Sequence, residues 1–183
     1  MNPYYFKTFA LCRHLGEDSP AGDLAQDMLN DDAFPMTCDV DNVVDYINSI
    51  SWACSNAKEA VAEVMVEYIL FRSDLRCYQK DYGVVEDTCV CEQHDLCNYG
   101  EELMSYQDFK TFALCRHLTN DSNLKELAES LVYETAFPKT TDCEKVLKYC
   151  GGVSWFTGDT LDDVKEALHE YQEYCTLFKE LKL

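Results

Sequence analysis

The chain has 183 residues, with 34 Asp and Glu against 15 Lys and Arg, so its formal net charge is −19. Its hydrophobic fraction of 47% excludes an intrinsically disordered chain, and we expect a folded, strongly acidic protein. Such a charge repels nucleic-acid phosphates, which disfavours direct nucleic-acid binding and favours a protein partner with a basic surface. The alternative is that the negative charge only keeps a small protein soluble.

A ten-residue string, FKTFALCRHL, occurs at residues 6–15 and again at residues 109–118. The same offset aligns many later positions without a gap, including Phe34-Pro35 with Phe137-Pro138 and Trp52 with Trp155. The repeat predicts one helical module present twice, at residues 1–73 and 105–183, with a connecting segment at residues 74–104.

The first two helices of the module are predicted from their start and stop signals. Asn2 can cap the first helix, with Pro3 in its first turn, and this helix carries the repeated string. The second helix is expected to begin after Ser19-Pro20 and to be broken by Phe34-Pro35, because proline excludes the preceding residue from helical geometry.

The third helix is expected to begin at Asp39 in the first copy and at Asp142 in the second, where each carboxylate can cap it. In the second copy we expect it to end at Gly151-Gly152 in a left-handed conformation. Its predicted buried positions in the first copy are Val40, Val43, Val44 and Ile47.

The fourth helix follows a Ser-Trp pair and is the longest of the module, its second copy beginning near Asp159 and running toward Leu183. Its predicted buried positions in the first copy are Ala57, Ala60, Val61, Val64, Met65, Tyr68 and Ile69. No stretch alternates as a strand does, so the predicted fold is all-α, with two tandem bundles of four to five helices each.

These residues carry a resemblance to a known family. Residues 21–35, AGDLAQDMLNDDAFP, follow an aromatic helix and precede an Asp-started helix, a pattern that resembles the YozE SAM-like family of small bacterial and phage proteins. The second copy keeps Leu127-Ala128 but has Lys125-Glu126 where the first has Gly22-Asp23. The resemblance implies compact bundles of short helices with no established catalytic activity. The tandem form and the connecting segment depart from the family's usual single domain.

Eleven cysteines are typical of a secreted protein held together by disulfides, but the rest of the chain argues against that class. The N-terminus lacks the basic and long apolar regions of a signal peptide, and no apolar run is long enough to span a membrane, so we expect a cytoplasmic protein with reduced thiols and no membrane contact. Only Cys12 and Cys115 are equivalent in the two copies, which predicts that the module's fold needs no shared disulfide. Most thiols are expected to be small core residues.

The connecting segment concentrates soft metal ligands in the spacing Cys-x-Cys-x2-His-x2-Cys. Zinc accepts thiolate and imidazole donors tetrahedrally, so a bound ion could order this segment. The alternative is an ordinary connection whose cysteines and tyrosines pack against the bundles, since Cys-x-Cys is a tight fit for two ligands of one ion. The candidate zinc ligands are Cys89, Cys91, His94 and Cys97, with Cys77 as an optional addition.

Three further patterns resemble functional sites. Cys12 with His14 resembles a nucleophile and base, but residues two apart on a helix point about 200° apart and would not meet, so a core cysteine with a polar Arg-His edge is expected. Both tryptophans are expected to be core anchors. A solvated acidic face on the second helix is the candidate partner-binding surface, formed by Asp23, Asp27, Asp31 and Asp32.

The sequence therefore predicts a non-enzymatic interaction protein that presents acidic helical surfaces to a macromolecular partner. One alternative is an acidic inhibitor that imitates nucleic-acid charge and occupies the basic groove of a host DNA-binding or defence protein. A second alternative is a zinc-stabilised adaptor.

Overall fold

The structure is a computed structural model that describes residues 4–50, 55–81, 107–119, 123–156 and 158–182. These residues form an all-α fold of eight helices and no strand. The first four helices are α1 (Phe6–His14), α2 (Pro20–Asn30), α3 (Val40–Ser49) and α4 (Ser55–Asp81). The second four are α5 (Phe109–His117), α6 (Lys125–Tyr133), α7 (Cys143–Gly152) and α8 (Asp159–Leu181).

The helix starts follow the capping signals of the sequence. The Ser19 hydroxyl accepts from the backbone N–H of Gly22 at the start of α2, and the carboxylates of Asp39 and Asp142 accept from backbone N–H groups at the starts of α3 and α7. Asp108 caps α5 in the same way. Each cap satisfies backbone donors that have no partner within the helix.

Some predicted boundaries differ from the observed ones. Helix α1 begins only at Phe6, and the expected cap at Asn2 and Pro3 lies outside the described residues. Helix α7 includes Gly152 and ends without a left-handed residue, because Val153 follows it in an extended conformation. Helix α4 continues to Asp81, so the first part of the predicted connecting segment is helical.

The buried face of α3 is narrower than predicted. Val43 and Ile47 are buried, whereas Val40 is only half-buried and Val44 is exposed. A similar correction applies to α4, where Ile69 is exposed and the core positions continue instead through residues further along the helix. Those positions are Phe71 and Leu75.

Equivalent long-range contacts hold each set of four helices together. The Lys7 ammonium donates to the carbonyl of Asp31 at 2.8 Å, and the Lys110 ammonium donates to the carbonyl of Glu134 at 2.8 Å. The Tyr68 hydroxyl donates to the carbonyl of Tyr4, and the Tyr171 hydroxyl to that of Gln107, each at 2.6 Å. The two sets therefore use the same hydrogen bonds at positions related by the sequence offset.

The two sets pack against each other in a reciprocal manner. Helix α1 packs against α5, α4 against α6 and α2 against α8, and the buried side chains form one continuous core. The second-set equivalents of α1, α2 and α4 are α5, α6 and α8. The contact of α4 with α6 is therefore the counterpart of the contact of α8 with α2, and α1 packs against its own equivalent. This is the pattern that an approximate twofold axis between α1 and α5 produces, and it brings the two repeated strings together.

Candidate functional site

The centre of the molecule is the contact between the C-terminal ends of α1 and α5. Arg13 donates a guanidinium N–H to the backbone carbonyl of Arg116, and Arg116 donates to the carbonyl of Arg13. Arg13 Nε also lies 3.1 Å from Glu67 Oε2, and the equivalent distance from Arg116 Nε to Glu170 is 3.7 Å. Arg116 reaches Glu17 in addition, at 3.2 Å. The arginines thus join the two halves by charge-assisted hydrogen bonds.

The neighbouring histidines are buried, which the sequence did not indicate. His14 and His117 are 5% and 4% exposed, so the expected polar Arg-His edge is wrong at both histidines. His14 Nδ1 lies 2.9 Å from a Glu17 oxygen. Neither ring nitrogen of His117 has a hydrogen-bond partner within the described chain. Burial, with a smaller effect from the two arginines, lowers the pKa of His117 to about 4.

The repeated cysteines lie in the same interface. The Cys12 thiol donates to the Tyr174 hydroxyl oxygen at 3.8 Å, a residue 162 positions away. Burial, together with a hydrogen bond from Cys12, raises the pKa of the Cys115 thiol well above its usual value. Cys12 and His14 have different partners, as the helical spacing predicted. The raised pKa makes the Cys115 thiol a poor nucleophile.

The remaining described thiols are not uniformly core residues. Cys150 is buried and Cys77 is exposed, so the expectation of core cysteines holds only in part. Cys38 is disulfide-bonded, which differs from the expectation that all thiols are reduced.

A cleft of about 350 Å³ opens beside this interface. It is lined by the carboxylates Glu17, Glu170 and Glu173, by the Arg116 guanidinium, and by apolar and thiol groups of α1, α5 and α8. Burial raises the pKa of the Glu170 carboxyl, although Arg116 opposes the shift, whereas the hydrogen bond from His14 lowers the pKa of Glu17. Three carboxylates around one guanidinium disfavour an anionic occupant.

The four predicted partner-binding aspartates do not form a uniform face. Asp23, Asp27 and Asp32 are exposed, as expected. Asp31 is half-buried, and its carboxylate accepts from the Tyr46 hydroxyl at 2.7 Å and from the backbone N–H of Ala33 at 3.0 Å. Asp31 therefore caps the C-terminal end of α2, and its carboxylate is already occupied by hydrogen bonds within the chain. Partial burial, and then the neighbouring Asp23, raises the pKa of Asp27.

A second acidic group lies at the start of α8 and was not among the sites predicted from the sequence. Burial and surrounding carboxylates raise the pKa of Asp163, at the start of α8. The string DTLDD at residues 159–163 was the sequence signal for an acidic group here. Glu126 joins this group from α6 only through tertiary packing, which the sequence does not show. The surrounding carboxylates are Glu126, Asp159, Asp162 and Glu166.

Only one of the five predicted zinc ligands lies within the described residues. Cys77 is exposed on α4, and Cys89, Cys91, His94 and Cys97 all lie outside the described ranges. Within those ranges no three His, Cys, Asp or Glu side chains are placed to hold a metal ion. The zinc site stays a prediction from the spacing alone.

Trp155 is not a core anchor. Its side chain is 37% exposed, it stacks on the buried Phe156 at 3.6 Å between ring centroids, and its indole N–H donates to Glu134 at 3.1 Å. The expected core position is filled by Phe156 instead. Trp52, the equivalent residue, lies outside the described residues.

Comparisons of the chain with protein-family models, with curated proteins and with solved structures found no match. Across the described residues, none of the helices combines the length and the apolar character that a membrane crossing requires.

Proposed function

We propose that the protein is a non-enzymatic interaction protein whose acidic helical surfaces bind a partner protein with a basic surface. The observation that carries the proposal is the pairing of Asp23 with Asp27 on the exposed side of α2. Within the described residues neither carboxylate is in an ion pair, and the Asp23 carboxylate adds to the burial that raises the pKa of Asp27. A basic partner would relieve that repulsion on binding.

The acidic group at the start of α8 supports the same function. Asp163 is surrounded by like charges from both α6 and α8, and Glu126 occupies the position equivalent to Asp23. The molecule would then offer two acidic surfaces. Two contacts of this kind increase the overall affinity when one partner, or a pair of linked partners, engages both together.

The test uses neutralising substitutions that keep side-chain size. Immobilised wild-type protein is exposed to a bacterial lysate at low salt, and bound proteins are released by increasing salt and identified by mass spectrometry. We expect basic proteins to be released as salt rises, and Asp23→Asn with Asp27→Asn to reduce their recovery, because exposed charge pairs are screened by salt. The matched control is Asp18→Asn with Glu180→Gln, which removes two exposed charges elsewhere and should retain binding.

Two results would contradict the proposal. One is recovery of neutral proteins that resist high salt, and the other is equal recovery by the Asp23/Asp27 variant and the wild type. If the recovered proteins bind DNA and added DNA competes with the acidic protein for them, the narrower function of nucleic-acid mimicry is favoured.

A further inference from the structure

Helix α4 carries an exposed apolar stripe. Val66, Ile69 and Leu70 are 59%, 53% and 54% exposed, and their spacing of three and four places them on one face of the helix. The opposite face of α4 is occupied, because α4 packs against α1, α2 and α6. An apolar stripe of this length on an otherwise acidic protein indicates an interaction surface.

The equivalent face of α8 is polar, so the stripe is not a requirement of the module. The positions of Val66, Ile69 and Leu70 are occupied in α8 by His169, Gln172 and Glu173, which are all exposed. The two helices hold equivalent places in the fold and differ on their outward faces.

Charged residues continue the stripe in both directions. Glu59 and Glu63 precede the apolar residues, and Arg76 and Lys80 follow them, all four being exposed. None of the four is in an ion pair with another part of the chain that the structure describes. The face is therefore acidic at one end, apolar in the middle and basic at the other end.

This pattern is complementary to itself when reversed. Two antiparallel copies of α4, centred between Ile69 and Leu70, place Glu63 opposite Arg76 and Glu59 opposite Lys80, with the apolar residues meeting in the middle. A twofold-symmetric contact requires this kind of match, because each surface must fit its own copy. We propose that α4 is a homodimer interface and that its occupant is the α4 face of a second copy of this chain.

The charge distribution favours a second copy at this helix. A net charge of −19 opposes association of two copies through most surfaces. Helix α4 is nearly balanced, with five acidic and four basic residues, whereas α8 has seven and two. From Glu59 to Lys80 the face extends about 32 Å, at 1.5 Å per residue. One helix face is a small interface, so the dimer is expected to dissociate in the micromolar range.

The experiment measures molar mass against concentration by analytical ultracentrifugation of the full chain. The wild type should shift from monomer toward dimer as its concentration increases through the micromolar range. Ile69→Gln with Leu70→Glu, which installs the residues of α8, should abolish the shift. Both positions are exposed, so circular dichroism and thermal unfolding should show an unchanged fold.

Charge exchange then tests the antiparallel register. Glu63→Arg alone and Arg76→Glu alone each place like charges together and should weaken self-association at least tenfold. An equimolar mixture of the two variants restores opposite charges at both ends and should dimerise as the wild type does. The matched control is Glu166→Arg on α8, which makes the substitution of Glu63→Arg at the equivalent position and should leave the dimer unchanged.

A wild type that stays monomeric up to millimolar concentration would overturn the proposal. So would a dimer that survives the Ile69/Leu70 substitutions, or a mixture of the two charge variants that associates no better than either alone.

Discussion

Arg13 and Arg116 each donate to the backbone carbonyl oxygen of the other across the contact of α1 with α5. The two residues are equivalent in the repeated string, so each makes the contact that it also receives. Because both copies of the string line the same interface, a change in one copy alters a contact of the other. This gives a physical reason for an arginine at the same position of both strings.

Removing either arginine should destabilise the protein. We expect Arg13→Ala and Arg116→Ala to lower the free energy of unfolding by about 1–3 kcal/mol each, because a partly buried carbonyl loses a charged donor. The loss of stability should be larger for Arg13→Ala than for Arg116→Ala. The Arg13 side chain is 13% exposed against 27% for Arg116, and Arg13 lies closer to Glu67 than Arg116 does to Glu170. Urea denaturation measures both. Lys165→Ala, at an exposed position, should change stability by less than about 0.5 kcal/mol, and an equal loss there would contradict the interpretation.

His117 should make stability depend on pH. Its pKa is about 4 in the folded protein against 6.5 for the ordinary side chain, so between these values the unfolded chain binds the proton and the folded chain does not. Stability therefore falls as pH decreases from 6.5 toward 4, by up to about 3 kcal/mol from this group. Denaturation at several pH values should show a smaller slope for His117→Gln than for the wild type.

The control for this pH effect is His169→Gln, because His169 is exposed on α8. Its slope should equal that of the wild type. If His117→Gln also leaves the slope unchanged, the buried imidazole does not contribute to the acid sensitivity.

Thiol reactivity should follow burial. Near neutral pH, iodoacetamide is expected to label the exposed Cys77 and to leave Cys115 and Cys150 unlabelled in the folded protein, because burial raises the pKa of Cys115 well above its usual value and that of Cys150 to about 11. Peptide mass spectrometry identifies the labelled sites, and denatured protein is the positive control. Labelling of Cys115 as fast as Cys77 would favour the nucleophile interpretation of the repeated Cys-His pair.

Zinc content tests the metal hypothesis for the connecting segment. That hypothesis predicts one zinc ion per chain in protein purified without chelator, and its loss when Cys89 and Cys91 are replaced by Ser. Metal analysis by mass spectrometry gives the stoichiometry, with Cys150→Ser as a control far from the segment in sequence. Metal-free protein with an unchanged fold would refute the zinc-stabilised adaptor.

The sequence predicted the local parts of the fold well, because they depend on neighbouring residues. Ser19, Asp39 and Asp142 cap the helices that were expected to follow them, since a capping side chain reaches backbone groups only two or three residues away. The acidic character of α2 was also predicted. The hydrogen bond from the Tyr46 hydroxyl to the Asp31 carboxylate was not, because these residues are 15 positions apart.

By itself, the sequence determined an all-α chain with a repeated order of helices, since periodicity, caps and the duplicated string are properties of short segments. Only the tertiary structure decided that the repeated helices face each other, that His14 and His117 are buried between them, and that Ile69 and Trp155 are exposed. An amphipathic pattern shows which residues can be buried, but the element that covers them is chosen by packing across the whole chain. The same packing leaves the Val66, Ile69 and Leu70 face of α4 uncovered, and there the protein can meet a second copy.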